Sequence, residues 1–104
     1  MSKFNEREKS FEKKFVQDEE LQFKVNAKRN KYLGEWAADK LGKVDNDKAA
    51  YAQEVIKSDF TEPGDEDVFR KIQGDFKKAS ISISDSEIRK QMSTLLERAK
   101  KDFL

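Results

Sequence analysis

Carboxylates, amines, guanidinium groups and hydroxyls are the reactive side chains of this protein, because the sequence holds no histidine and no cysteine. That absence removes disulfides, thiolate nucleophiles, nearly all zinc chemistry and the usual general base at neutral pH. The remaining candidates for chemistry are two acidic clusters, Asp18 to Glu20 and Asp65 to Asp67. A hard cation takes carboxylate oxygens, but neither cluster has the glycine-centred spacing of a calcium loop. Both stand where helices are expected to begin, where negative charge meets the positive end of the helix dipole. Capping is the better account, and no metal site is expected. Paired acids for hydrolysis would have to be fixed across a cleft, which no spacing here does. The glycines, at 34, 42, 64 and 74, form no phosphate-binding loop. The chain is therefore expected not to be an enzyme and to need no cofactor.

A second cluster is basic. Lys24, Lys28, Arg29 and Lys31 lie beside Tyr32 and Trp36. A nucleic-acid site would use such cations on phosphates and such rings for stacking. Against this stands the charge balance: 22 basic and 21 acidic residues leave a net charge of +1, so no global field draws the chain to nucleic acid or anionic lipid. A solvated face beside a buried tryptophan is preferred. No nucleic-acid partner is expected, and a small nucleotide-binding module is kept as the alternative.

The third pattern is aromatic. Phe4, Phe11 and Phe15 share one helix face by steps of seven and four, among Arg7, Lys14 and other charged residues. Chain ends are where order usually fails, so phenylalanines there need a use. Either they join a core or they wait for a partner, and spacing alone leaves both open.

The elements that must position these residues are helical. Only 36% of the 104 residues are hydrophobic and 41% are charged, so one thin core built from amphipathic helices is expected. From Glu6 to Leu41 there is no proline and one glycine, Gly34, which reads as one long helix; its acidic cluster could cap a helix beginning near residue 19. Phe23, Ala27, Leu33, Trp36, Ala37 and Leu41 form its denser apolar stripe. Gly34, in mid-helix, suits a close helix approach or a bend. Gly42 suits the C-terminal end, and Asp45 and Asn46 are candidate caps for a second helix from Asp47 to Phe60 that buries Tyr51, Ala52, Val55, Ile56 and Phe60. Pro63 and Gly64 turn the chain into a third helix burying Val68, Phe69, Ile72 and Phe76 and ending near Lys78. Ile81 and Ile83 alternate as in a strand, but a lone strand has nothing to pair with, so they are expected to lie on the core from an extended loop. Ser84 and Glu87 match a capping box for the last helix, which carries Ile88, Met92, Leu95, Leu96, Ala99 and Phe103.

The expected fold is all-α, a four-helix bundle over residues 19–104 with a mobile, overhanging N-terminal segment over residues 1–18. The later helices read as roughly 21 to 27 Å long at 1.5 Å per residue, a length that residues 19–41 already match. No stretch approaches the ~18 to 20 apolar residues that span a bilayer, and no signal peptide is apparent, so a soluble cytoplasmic protein is expected.

In order along the chain, "REKSFEKKF", "DEELQFKVNAKRNKYLGEWAADKLG", "YAQEVIKSDF" and "PGDEDVFRKI" resemble the inhibitor subunit zeta of the alphaproteobacterial F-type ATP synthase. At "AKRN" relatives often carry two arginines; Lys28 keeps the charge without the bidentate fork. The resemblance implies a regulatory bundle, monomeric when free, whose N-terminal helix inserts into a catalytic α/β interface of the ATPase head beside the rotating γ subunit and blocks ATP hydrolysis. It implies a cytoplasmic location at the inner membrane through the synthase, without membrane insertion. Phe4, Arg7, Phe11, Lys14 and Phe15 become the partner-binding residues, with Lys28 and Arg29 as secondary contacts. A non-inhibitory protein that associates with the ATPase is a further alternative.

Overall fold

A computed structural model of the chain describes residues 3–60 and 64–104, with side-chain surroundings from Glu8 onward. Among the described residues there are five α-helices and no strand: α1 Lys3–Gln17, α2 Glu19–Lys40, α3 Asp45–Ser58, α4 Glu66–Lys78 and α5 Asp85–Lys101. The all-α expectation holds. The long first helix does not: the chain breaks at Asp18, which takes an extended conformation (φ −110°, ψ 101°) between α1 and α2. Asp18 accepts a hydrogen bond from the Leu21 amide at 3.1 Å and so caps α2, with Glu19 and Glu20 in the first turn as the dipole favours.

Helix α2 is the spine. It packs on α3 and α5, and α4 closes against α3 and α5. One core runs through these four helices, with Leu33, Ala37 and Ala38 from α2, Tyr51 and Val55 from α3, Val68, Phe69, Ile72 and Phe76 from α4, and Ile88, Met92 and Leu95 from α5. Gly34 makes the α2–α3 contact possible. A Cβ there would sit 2.7 Å from the Ala52 Cα, closer than atoms pack, so the two backbones meet where only glycine fits. Trp36 meets the Phe76 ring edge-on, with centroids 5.7 Å apart. Ile81 and Ile83 lie on the core from the loop before α5, as expected.

The helix ends follow local chemistry. Gly42, at φ +77°, lets the Lys43 amide turn back to the Ala38 carbonyl at 2.9 Å, closing the end of α2. Ser84 accepts from the Glu87 amide at 3.1 Å, which starts α5. At α3 the expectation fails: Val44, not Asp45 or Asn46, precedes the helix and offers no side-chain cap. Asp45 and Asp47 instead lie in the first turn, where their charge complements the dipole. Three expected core residues are also placed differently. Phe23 and Phe60 are 57% and 61% exposed and stack on each other with centroids 5.7 Å apart, while Phe103 is exposed beyond the end of α5. A surface pair of rings satisfies helical spacing as well as a core does. Pro63, expected in the turn before α4, lies outside the described residues.

Candidate partner-binding helix and its seat

Helix α1 is amphipathic by its spacing, and its described apolar face rests on the rest of the molecule. Phe11 is 9% exposed and packs in a small cluster with Val25 of α2 and Ala99 of α5, separate from the main core. Phe15, Leu21, Tyr32, Leu96 and Leu104 border the cluster. The Phe11 and Phe15 rings stack with centroids 6.1 Å apart. The face expected to overhang therefore turns back at Asp18, because that turn lets two rings leave water. Val16, near the end of α1, is exposed.

Polar contacts hold the seat from both ends. At the hinge, Gln22 donates its side-chain amide to the Phe15 carbonyl at 2.7 Å, covering one of the free carbonyls at the end of α1. Farther along, the Lys100 ammonium of α5 lies 3.3 Å from Glu12 and 4.8 Å above the Phe15 ring centroid. Lys100 also reaches Glu97 at 3.6 Å. Lys100 carries no motif that marks it as a contact. Its only local signal is its place next to Ala99, on the face that α5 turns towards the seat.

Tyr32 joins the seat to the main core and borders both clusters. Its hydroxyl donates to Asp102, an interaction that raises the phenol pKa above its ordinary value. The Arg98 guanidinium lies 3.9 Å from the Tyr32 ring centroid and the Lys28 ammonium 5.7 Å from it. The ring that a nucleic-acid site would have needed for stacking, a reading set aside on charge balance, is covered by the protein's own cations.

Of the expected contact residues, Phe11 and Phe15 come together in the seat, and Lys14 is exposed in the last turn of α1. The side chains of Phe4 and Arg7 lie outside the described residues. Lys28 is half-buried beside Tyr32. Arg29, expected on a solvated face, is placed differently. It is 1% exposed, donates to Asp65 at 2.8 Å and to the Asn30 side chain at 2.6 Å, and so belongs to the interior. Asn30, equally buried, donates to Asp59 at 3.1 Å. This network ties the middle of α2 to both sides of the α3–α4 connection. Burial pushes the Asp59 carboxyl above its ordinary pKa; Asn30 and Arg29 oppose the shift, and Asp65 and Asp67 add to it. Asp65, expected to cap α4, precedes that helix without a side-chain cap hydrogen bond and serves instead as the counter-ion of a buried arginine.

Among the described residues no group of acidic side chains is arranged to hold a metal ion, and no helix is long and apolar enough to cross a membrane. Fold and seat define a class: a small all-α protein that carries a short amphipathic terminal helix on a body of four packed helices. The family model for ATPase inhibitor subunit zeta matches residues 1–102, and the chain belongs to that family. Among solved structures, one determined by solution NMR is 42% identical, covers 80% of this chain and 94% of its own, and superposes with a TM-score of 0.72. No curated protein matches the chain.

Proposed function

We propose that this protein inhibits ATP hydrolysis by the F-type ATP synthase, with α1 as the inhibitory element and helices α2 to α5, a four-helix bundle in this role, as the body that carries it. Helix α1 inserts into a catalytic α/β interface of the ATPase head beside the γ subunit and stops rotation in the hydrolytic direction. The protein acts from the cytoplasmic side of the membrane, as a monomer when free, and carries out no catalysis itself. Family membership over residues 1–102 supports the inhibitory role. The observation that supports α1 as the inhibitory element is the break at Asp18, which makes residues 3–17 a separate helix seated on the body through a small cluster. Phe11 and Phe15 are the anchors, since a partner that buries them replaces the roughly 1.5 to 3 kcal/mol that burial of a phenylalanine contributes. Phe4 extends the same face in sequence, while Arg7 and Lys14 make polar contacts at its border. Lys28 is a secondary contact.

The test is ATP hydrolysis by the isolated ATPase head from the same source, titrated with the full chain and with a chain beginning at Asp18. Starting at Asp18 keeps the residue that caps α2. Inhibition by the full chain alone is expected. Equal inhibition by the shortened chain would move the active element into the body, and no inhibition by the full chain would remove the function.

A further inference from the structure

Resting on that function, we propose that Lys100 is a clasp: it stores α1 against α5 in the free protein, so that release from the seat competes with insertion into the ATPase. Phe11 and Phe15 cannot be buried in their own seat and in a partner at once, because the same ring faces serve both. Lys100 sets the strength of the stored state, since one ammonium group holds the Glu12 carboxylate and the Phe15 ring of α1 while anchored to Glu97 on its own helix. Lys100 is 14% exposed and Glu12 51%, so the pair is half-buried and screened less than a fully exposed one. The seat is otherwise light. A cleft of about 140 Å³, lined by Phe11, Glu12, Glu97, Lys100 and Leu104 among others, remains between α1 and α5, so the helix rests on the body without being embedded in it. A helix of this length is marginal by itself in water, so loss of the clasp also loosens the helix.

The consequence is quantitative. The apparent affinity of α1 for a partner falls by the fraction of molecules in which α1 is released. Reversing the charge, in Lys100→Glu, sets three carboxylates together and should release the helix. The half-inhibitory concentration in the hydrolysis assay is expected to fall about three- to tenfold, because Lys100 lies outside the inserted element. In the free protein, hydrogen exchange over residues 8–17 should quicken while exchange in α3 and α4 stays unchanged, which reports an intact body. A second variant acts in the opposite direction. The chain has no cysteine of its own, so Glu12→Cys with Lys100→Cys can be joined specifically by a reducible bifunctional thiol reagent. The joined protein should lose inhibition and regain it on reduction.

Unchanged exchange over residues 8–17 in Lys100→Glu would overturn the clasp whatever the assay shows. Faster exchange with unchanged or weaker inhibition would overturn the competition between storage and insertion. Absence of inhibition by the parent chain would overturn the proposed function and the regulatory role together, while exchange would still decide whether Lys100 holds the helix.

Discussion

At the scale of single residues, the molecule depends on a few positions where chemistry and space leave little choice. Gly34 is one. An alanine there would place its Cβ against the backbone of Ala52, which cannot rotate away as a flexible side chain could. Alanine gains about 1 kcal/mol in helix propensity over glycine, but overpacking costs about 1 to 3 kcal/mol, so Gly34→Ala should be neutral to destabilising by ~2 kcal/mol in urea unfolding. A clear gain in stability would show that α2 and α3 do not approach as described. The Asp59 carboxyl makes a different test, because its pKa is raised mainly by burial. The folded state therefore holds this proton more tightly than the unfolded chain. Its favourable contribution is complete below the unfolded pKa of about 4 and is lost as pH rises through the folded value. Asp59→Asn keeps an acceptor for the Asn30 amide and removes the titration. Its urea midpoint relative to the parent should be higher at pH 7 than at pH 3.5, and an equal difference at both values would separate Asp59 from the acid dependence of stability.

At the scale of elements, what was legible in the sequence is what local chemistry decides. Gly42 and Ser84 act within a turn of their positions, and their roles could be read without knowing the fold. Asp18 was visible as a cap for a helix beginning near residue 19, yet its flanks of good helix formers read as a continuous helix. The decision between a bend and a break lies elsewhere, in Ala99 and Lys100 at the other end of the chain, which reward α1 for turning back. The burial of Arg29 was hidden for the same reason. Its partner Asp65 is 36 residues away, and no local pattern distinguishes a buried arginine from a solvated one. Phe23 and Phe60 show the limit of periodicity, which reports a shared face but not what covers it. Asp18→Ala tests the break directly. Loss of the cap should cost about 0.5 to 2 kcal/mol, and alanine removes the side chain that favours the extended conformation. Helices α1 and α2 should then join more readily, drawing Phe11 off its seat, which hydrogen exchange over residues 8–17 would report. Exchange as slow as in the parent would show that the seat, and not the cap, fixes the turn.

At the scale of the whole molecule, the question is how far the body stands without its first helix. The main core draws on α2 to α5 and includes none of the described side chains of α1, so the four-helix body should fold by itself. The seat is nevertheless part of the stability of the full chain, because Phe11 covers Val25 and Ala99, both fully buried in its presence. Removing residues 1–17 gives up the burial of Phe11 and part of that of Phe15. At roughly 1.5 to 3 kcal/mol for a fully buried phenylalanine, the loss should be about 2 to 4 kcal/mol, reduced by the ordering entropy that a marginal helix no longer has to lose. Chemical unfolding of the chain beginning at Asp18 should therefore remain a single cooperative transition, with a lower midpoint and a slightly smaller denaturant dependence than the full chain. The comparison separates two designs for a carrier of a binding helix. A cooperative transition at lower stability means that the body is independent and the seat is a store from which α1 can leave. Loss of cooperativity would mean that α1 is part of the core, and insertion into a partner would then require the carrier itself to loosen.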